Sequence, residues 1–419
     1  MSWSKRIRRA LSQSMVPKFT VRRATASAML LPLAFGLTAC TRDFTVDYLY
    51  VTGSNKGSAG SINEYLVDYQ SGALVAISGS PIQTGVNPVA LVTTSNGLFV
   101  YVVNQGDSRN IDCGAGNGAL TSKNTYKTGN TPTGAAIDVA GKFLYVTFTY
   151  QPGYSPTTPG PGGVNIFPIN SDNSLGTPTT VNVGNSPVGV VASGFNNFVY
   201  VLDAEPATAT TSAHGVILGF SENTSSGALT PAPGTSITTD STGKTVATGY
   251  GAGTVPSAIA IDPTARFVYV TDRNTNQLYG NLVQAGGRLI PMTNSPFATG
   301  LLPLSITIDP RGKYMYVTNF NANTVSSYVI DQGTGAAVGA VGSGAVSVGT
   351  GPSCVTIDPA LGIYLYTANN LDNTVTGQQL DPHNGTLKAI ENTPFPAAGT
   401  PTCAAAVANG THATQIVVP

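Results

Sequence analysis

Acid–base chemistry in this chain has few candidate residues, because its histidines are only three: His214, His383 and His412. His214 is the strongest candidate for a general base, since it ends a long insertion that starts near Asp203 and Glu205. Arg109 or Arg273, from neighbouring segments, could supply a cation. A base that activates water and a cation that stabilises an oxyanion are what hydrolysis of a carbonyl compound requires. A loop histidine outside any motif is also often an ordinary surface residue, and that alternative stays open for His214.

The other two histidines lie in sequence that favours turns. His383 is the centre of Asp-Pro-His-Asn-Gly, and His412 follows Asn-Gly near the C-terminus. Pro, Asn, Asp and Gly each promote tight turns. We therefore predict solvent-exposed turns at both positions.

Four aspartates recur six residues after a proline, namely Asp138, Asp262, Asp309 and Asp358. Such a set could form a ring of carboxylates. Their fixed offset instead places each one at the same turn between two strands, where an aspartate accepts hydrogen bonds from nearby backbone amides. We predict that these aspartates cap hairpins.

Oxygen-bearing side chains also cluster among glycines in residues 104–112, where a calcium site is conceivable. This segment lacks the ordered spacing and closing glutamate of an EF-hand loop. We therefore favour a polar loop, and we predict neither a metal nor a cofactor.

Two cysteines occupy matching places, because Cys354 and Cys403 each lie two residues after a proline. An oxidising compartment would permit a bond between them if their Cα atoms approach to about 7 Å or less. The alternatives are a disulfide or two buried thiols, with Cys113 unpaired in either case.

The overall composition favours an all-β chain. Charged residues make up only 10% of 419 residues, with 48 Gly and 28 Pro. Long surface helices need more Glu, Lys and Arg, whereas short strands joined by Gly/Pro turns suit this composition.

Charge is distributed unevenly along the chain. Seven of the 20 basic residues precede residue 24, and removal of residues 1–39 leaves 13 basic against 20 acidic residues, a net charge of −7. A surface of that sign lacks the clustered Lys and Arg that bind phosphates. Nucleic-acid binding is excluded on this ground.

The N-terminus carries the features of an export signal. A basic stretch precedes the apolar run 24–37, which is too short to span a bilayer. The following Leu37-Thr38-Ala39-Cys40 resembles the lipobox of bacterial lipoproteins, which implies a signal peptide over 1–39, a lipid on Cys40 and a tether over 40–47. Thr41 favours the outer membrane in a Gram-negative cell. An ordinary cleaved signal and a start at Met15 remain alternatives.

A repeated phrase organises the rest of the chain. It consists of a proline, a short apolar run, a turn and an aromatic-rich strand, and its prolines are Pro88, Pro132, Pro187, Pro256, Pro303, Pro352 and Pro401. Successive spacings of 44, 55, 69, 47, 49 and 49 residues are close to the roughly 40 to 50 of a four-stranded propeller blade. Two further strands follow each phrase, so the pattern predicts seven units of four strands.

The phrase Tyr316-Val317-Thr318-Asn319, followed by Asn323-Thr324-Val325-Ser326, resembles the YVTN repeat of bacterial surface propellers and of the related seven-bladed lactonase-like family. The resemblance implies a seven-bladed β-propeller over 48–419, with four-stranded antiparallel blades. We expect the N- and C-terminal strands to share one blade, which leaves no exposed sheet edge. Both Tyr48–Thr52 and 415–418 look like a second strand.

The same resemblance implies two functions of different classes. One is hydrolysis of a sugar lactone, as in the 6-phosphogluconolactonase-like enzymes. Enzymatic members carry histidine just after a blade-opening proline, and this chain has Val89, Thr133, Val188, Ser257, Leu304, Ser353 and Thr402 there. We therefore favour the other function, a monomeric envelope protein that binds a partner or acts as a scaffold, with the lactonase as the alternative. Histidine and arginine in the central channel would favour the enzyme, and small or aliphatic groups would favour binding.

Long insertions indicate where a ligand would bind, because repeats accept extra residues where the chain leaves the packed sheet. The segments 104–128, 149–163 and 203–214 are expected to join second to third strands, and 235–253 to precede a first strand. Their shared rim offers Tyr150, Tyr154, Asp203 and Tyr250 to a protein or a small carbohydrate-like ligand. Disordered loops are the alternative.

Overall fold

The structure is a computed structural model that describes residues 45–94, 96–106, 110–158, 160–205, 207, 212–239 and 245–410, with side chains left out at 110–117, 340 and 343. The predictions made for Cys40, Arg109, His412 and residues 415–418 lie outside this part of the chain.

Seven sheets in the described residues contain a path of four antiparallel strands. Sheet 1 contains β1 (Thr45–Asn55), β2 (Ser58–Asp68), β3 (Leu74–Ala76) and β4 (Ile82–Val86). Sheet 2 contains β5 (Pro88–Thr93), β6 (Phe99–Asn104), β7 (Asn110–Asn117) and β8 (Ala119–Lys127). Sheet 3 contains β9 (Asn130–Ile137), β10 (Phe143–Tyr150), β11 (Gly163–Pro168) and β12 (Thr179–Asn182). Sheet 4 contains β13 (Pro187–Ala192), β14 (Phe198–Glu205), β15 (His214–Glu222) and β16 (Leu229–Pro231). A separate hairpin follows, formed by β17 (Ser236–Thr239) and β18 (Thr245–Thr248), and β19 (Tyr250–Gly251) then pairs with β15.

The remaining sheets have the same plan. Sheet 5 contains β20 (Pro256–Ile261), β21 (Phe267–Asp272), β22 (Gln277–Val283), a short 3-10 helix (Ala285–Gly287), β23 (Leu289–Pro291) and β24 (Phe297–Ala298). Sheet 6 contains β25 (Pro303–Ile308), β26 (Tyr314–Asn319), β27 (Thr324–Ile330) and β28 (Ala337–Ser347). Sheet 7 contains β29 (Pro352–Ile357), β30 (Tyr364–Asn369), β31 (Thr374–Leu380), β32 (Leu387–Ala389) and β33 (Phe395–Pro396), and β34 (Thr400–Ala408) pairs with β1 of sheet 1.

The innermost strand of each sheet carries one of the repeat prolines. These strands are β5, β9, β13, β20, β25, β29 and β34, and each contacts the innermost strands of two other sheets. The chain is thus an all-β propeller with four-stranded antiparallel blades, as the repeat predicted. The segment Tyr48–Thr52 lies in β1, which is the second strand of its sheet.

The tyrosine of the repeated aromatic strand explains part of the packing between sheets. Tyr145, Tyr200, Tyr269, Tyr316 and Tyr366 are fully buried. Their hydroxyls donate to the carbonyl oxygens of Gly227, Gly287, Gly335, Gly385 and Gly72, each in a turn of a different sheet. These glycines have positive φ, which suits a residue without a side chain in a tight turn. In these five repeats, one hydrogen bond therefore ties a second strand to the adjacent sheet.

Apolar side chains complete this packing. The described core consists of seven clusters, and each contains residues of two sheets. Strands sandwiched between neighbouring sheets are apolar on both faces, so the alternating polar pattern of a half-exposed sheet is absent from strands such as β21 (Phe267–Asp272), which is buried throughout.

The four repeated aspartates cap hairpins, so that prediction is confirmed. Asp262 accepts backbone N–H bonds from Arg266 at 2.6 Å and Phe267 at 2.7 Å. Asp309 does the same for Lys313 and Tyr314, both at 2.7 Å. Asp138 and Asp358 make the equivalent bonds in their own sheets.

One insertion was assigned wrongly. Residues 104–128 do not form a loop between second and third strands, because β7 and β8 occupy most of them and pair with each other. The error has a physical cause: β8 lies at the outer edge and is mostly exposed, so its sequence is as polar as a loop. Tyr126 in β8 consequently packs against Phe167, and its hydroxyl accepts the N–H of Leu175.

Candidate functional site

Sheet 4 brings three titratable residues to one end of a strand pair. β14 and β15 are antiparallel, with Glu205 opposite His214 and Asp203 opposite Val216. Side chains two residues apart on a strand share a face, and directly opposite residues share it too. Asp203, Glu205 and His214 therefore lie on the same face at the end of the sheet, as the sequence suggested.

Asp203 holds the loop that precedes Pro187. Its side chain is fully buried, and its carboxylate accepts the backbone N–H groups of Ser186 at 2.8 Å and Asn185 at 3.3 Å. Gly184 has a φ of +84° and lies so close that an added Cβ would be 2.0 Å from Asp203 Oδ2. Through these contacts Asp203 fixes the conformation of the loop, which is a structural role.

Glu205 adds a second carboxyl group beside the first. One Glu205 oxygen accepts the side-chain N–H of Asn185 at 2.6 Å. The other oxygen is buried, and no donor reaches it in the described part of the chain. Burial and the neighbouring Glu205 raise the pKa of Asp203 well above its usual range, although the backbone donors oppose the shift. The ionised form of Asp203 is therefore disfavoured by its burial and by the adjacent carboxyl group.

His214 is the exposed member of the group. Its Nδ1 lies 3.1 Å from the carbonyl oxygen of Ser212. When Nδ1 donates to that oxygen, Nε2 is the basic nitrogen. The imidazole is therefore placed to exchange protons with a molecule that arrives from solvent.

Arginine is also available at the end of the next sheet. Arg273 follows the last residue of β21 directly and is exposed, and its backbone N–H donates to Val255. Arg266 and Arg311, by contrast, form ion pairs with the hairpin-capping Asp262 and Asp309.

The three predicted ligand-binding tyrosines lie in two places: Tyr150 and Tyr154 are near Asn130, and Tyr250 is on sheet 4. Tyr154 is 38% exposed, and its carbonyl oxygen accepts a side-chain N–H bond from Asn130. Tyr150 is half-buried at the end of β10, where it pairs with Asn130. Tyr250 pairs with Ile217 on the third strand of sheet 4, and its hydroxyl donates to the carbonyl oxygen of Pro233. A ligand platform at Tyr150 and Tyr154 stays a prediction.

At four of the seven positions after the repeat prolines, a hydroxyl joins neighbouring innermost strands. The hydroxyls of Thr133, Ser257, Ser353 and Thr402 donate to the carbonyl oxygens of Pro187, Pro303, Pro401 and Pro88. These are the positions where the resemblance implied histidine for catalysis. Here they hold the sheets together, a role that the shared Ser and Thr could have suggested.

A cavity of about 370 Å³ lies among the innermost strands, at the ends away from the prolines. Its lining is small and aliphatic, and includes Val92, Ala135, Val191, Ile259 and Ile306. Histidine and arginine are absent from this lining in the residues described.

His383 lies in the predicted exposed turn, so that expectation is confirmed. Its side chain is 91% exposed and its Nδ1 is 3.3 Å from Asp381. Within the described ranges, no three His, Cys, Asp or Glu residues are grouped to hold a metal ion. The same residues include no helix with the length and hydropathy that a membrane span requires.

Solved structures of similar fold include three with lactonase names. The periplasmic gluconolactonase of Pseudomonas aeruginosa has a TM-score of 0.68 and 19% identity, over 87% of this chain and 99% of that one. A candidate 6-phosphogluconolactonase from Bacteroides uniformis has a TM-score of 0.66 and 19% identity, over 87% and 100% of the two chains. Another, from Bacteroides fragilis, has a TM-score of 0.62 and 21% identity, over 88% and 99%. At identities this low, the structural similarity establishes the fold alone.

No curated protein matches this chain. The family model "Lactonase, 7-bladed beta-propeller" matches residues 48–194 and 216–357, which is more than half of the sequence. Asp203, Glu205 and His214 fall between the two matched segments, so the match assigns them no role. The chain belongs to the seven-bladed β-propeller lactonase family.

Proposed function

We propose that this protein hydrolyses a lactone at the end of sheet 4. The observation that carries the proposal is the Asp203–Glu205 carboxyl pair opposite His214, in a chain that belongs to a lactonase family. Membership of a lactonase family favours this function over the binding scaffold that we preferred from the sequence, and it does not support the preference for a protein without catalytic activity.

The proposed mechanism assigns one role to each residue. His214 Nε2 removes a proton from water as the water oxygen attacks the lactone carbonyl carbon, and Glu205 stabilises the imidazolium across the strand pair. Arg273 stabilises the oxyanion of the tetrahedral intermediate. The ring C–O bond then breaks, and the imidazolium returns its proton to the leaving oxygen. The product is the open hydroxy acid.

The test is hydrolysis of 6-phosphogluconolactone and gluconolactone by residues 41–419, beside His214→Ala and Glu205→Gln. Removal of a general base lowers the rate by roughly 100-fold or more, so His214→Ala should lose nearly all turnover. His383→Ala is the matched control, because it removes an exposed histidine far from this site. Equal loss in both histidine variants, or turnover unchanged in His214→Ala, would place the activity elsewhere.

Binding without catalysis is the second candidate, and the aliphatic lining of the central cavity favours it. In that case the partner, a protein or a small carbohydrate-like molecule, would contact the loops around Tyr150 and Tyr154. Absence of turnover on every lactone, together with ligand binding that is lost when residues 151–160 are shortened, would favour this candidate.

The finer architecture is part of the proposal. We infer a ring of seven blades that closes where β34 pairs with β1. Three contacts support closure: the β1–β34 pairing itself, the Tyr366 hydroxyl on Gly72, and an apolar cluster shared by sheets 1 and 7.

Export and lipid attachment at Cys40 are likewise proposed, from the lipobox alone. Labelling of the chain with a radioactive fatty acid in bacterial cells tests the anchor. The label should be incorporated by the natural chain and lost in Cys40→Ser, whereas equal labelling of both would exclude Cys40 as the acylated residue.

A further inference from the structure

The second position after each repeat proline is restricted to small side chains. The seven residues there are Ala90, Gly134, Gly189, Ala258, Ser305, Cys354 and Cys403. Innermost strands approach closely at this level: a Cβ added to Gly134 would lie 3.2 Å from the Cα of Gly189 in the next sheet. Neighbouring members of this set therefore face each other across the junction between two sheets.

Cysteine occupies two adjacent places in the set. Cys354 is in β29 of sheet 7, and Cys403 is in β34, which pairs with β1 of sheet 1. Their Sγ atoms are 3.3 Å apart, and both cysteines are unbonded. Cys354 is buried and Cys403 is half-buried. The two thiols thus contact each other directly at the junction between the first and last sheets.

The surroundings of Cys354 suit a reactive sulfur. The backbone N–H of Ala404 donates to Cys354 Sγ at 3.1 Å. The hydrogen bond with Cys403 and this N–H together lower the pKa of Cys354, although burial opposes the shift. The thiolate is the form that attacks a disulfide.

We propose that Cys354 and Cys403 are an oxidation site, at which a disulfide forms between sheet 7 and β34. The sulfur atoms need to approach from 3.3 Å to the bonded distance of about 2.05 Å. The oxidant is a low-molecular-weight or protein disulfide. As the Cys354–Cys403 bond forms, the two thiols lose two protons and two electrons, and the oxidant's S–S bond is reduced to two thiols.

Peptide mapping tests the bond directly. The reduced, folded chain is incubated with excess oxidised glutathione, quenched with acid, denatured, alkylated and digested. We expect a linked peptide containing Cys354 and Cys403, both in the natural sequence and in Cys113→Ser. Two alkylated thiols, two glutathione adducts, or a bond from either residue to Cys40 or Cys113 would each overturn the proposal.

Cys354→Ser is the matched negative control. Ser305 occupies the equivalent place in sheet 6, so the substitution is expected to fold, and it should yield no linked peptide. If it fails to fold, mapping of the natural chain and of Cys113→Ser still decides.

Unfolding provides an independent readout. A bond that fits the native geometry constrains the unfolded chain, so the oxidised protein should unfold at a higher urea concentration than the reduced protein. The shift should vanish in Cys403→Ser. An unchanged or lower midpoint for the oxidised chain would contradict a bond compatible with the native structure.

Discussion

Sheets 4 and 5 each end with a glycine loop against a buried aspartate, but the other groups around that aspartate differ: Glu205 in sheet 4, and the N–H groups of Asn274 and Thr275 in sheet 5. In sheet 4, Gly184 with a φ of +84° lies against the carboxylate of Asp203, and in sheet 5, Gly253 with a φ of +85° lies against that of Asp272. Both aspartates are fully buried at the end of a second strand. Asp272 accepts the backbone N–H groups of Thr254 at 2.6 Å and Val255 at 3.2 Å, as Asp203 does those of Asn185 and Ser186.

The pKa values of the two aspartates are nevertheless shifted in opposite directions. Burial by itself would raise the pKa of Asp272, but the donors from Thr254 and Asn274 outweigh it and hold the pKa below its ordinary value. For Asp203, burial first and then the neighbouring Glu205 outweigh the donors from Ser186 and Asn185, so its pKa is raised. Two residues after Asp272, sheet 5 has Asn274 where sheet 4 has Glu205. The comparison shows that Asp203 is a structural residue of the repeat and that Glu205 is the addition particular to sheet 4.

Truncation of the two aspartates should give the largest difference between the sheets. Asp272→Ala leaves the backbone N–H groups of Thr254, Val255 and Asn274 without their acceptor, so we expect a loss of about 3 kcal/mol in the free energy of unfolding. Asp203→Ala also removes a carboxyl group that is unfavourable beside Glu205, so its loss should be about half as large. Urea unfolding at pH 7 measures both, and equal losses would contradict the difference between the two sites.

Alanine at the two glycines should show what the sheets share. Both residues have positive φ and touch a carboxylate, so Gly184→Ala and Gly253→Ala should each destabilise by about 2 kcal/mol. Alanine at Gly251, where an added Cβ meets no atom within 4 Å, is the control. A large difference between Gly184→Ala and Gly253→Ala in thermal unfolding would show that the two loops are not equivalent.

The pH dependence of stability should isolate Glu205. The pKa of Asp203 is higher in the folded than in the unfolded chain, so the folded chain keeps a proton that the unfolded chain releases. The stabilisation that this proton provides is lost as the pH rises above about 4. The slope can reach about 1.4 kcal/mol per pH unit. Glu205→Gln should flatten this part of the profile between pH 5 and 8.

Asp47 provides the control for that experiment. Burial and the nearby Asp358 raise the pKa of Asp47 to about 9. Its contribution, which also falls as the pH rises, should persist in Glu205→Gln and disappear in Asp47→Asn. A Glu205→Gln profile parallel to that of the natural chain would show that Glu205 does not control Asp203.

Asparagine substitutions at Asp203 and Asp272 should give the smallest effect. In sheet 6 an asparagine, Asn319, stands at the end of the second strand, and its side-chain oxygen accepts the backbone N–H of Gly300 at 3.0 Å. Asp272→Asn replaces an ionised acceptor by a neutral one and should cost about 1 kcal/mol. Asp203→Asn should be close to neutral at pH 7, and a cost equal to that of Asp272→Asn in urea unfolding would contradict the raised pKa of Asp203.

The repeat was predictable because it is local. The proline, the turn aspartate and the aromatic strand recur at fixed offsets, and residues such as Asp262 and Asp309 perform the same task in each copy. The Tyr269 hydroxyl bond to Gly335 was missed, since it joins residues 66 positions apart. The outer strand β8 is not predictable from the sequence, because an exposed strand buries too few side chains to show an apolar pattern.

The candidate site was predictable only in part. His214, Asp203 and Glu205 were identified from their nearness along the chain, and the pairing of β14 with β15 brings Glu205 opposite His214. The effect of Glu205 on Asp203 depends on burial, which sequence spacing does not reveal. The hydroxyls of Thr133 and Ser257 were judged only as missing histidines, and their bonds to the next proline carbonyl depend on the packing of two innermost strands.

The pairing of β1 with β34 also sets an order of events during synthesis. Thr45–Asn55 is among the first described segments to be made, and its partner Thr400–Ala408 is the last described strand. Until that strand is translated, one edge of β1 is unpaired, and side chains that are mostly buried in the folded protein are exposed. Such an edge promotes aggregation. Sheet 1 can therefore be completed only after residues 45–408 have left the ribosome, and a chaperone that covers β1 in the nascent chain would be expected to raise the yield of folded protein.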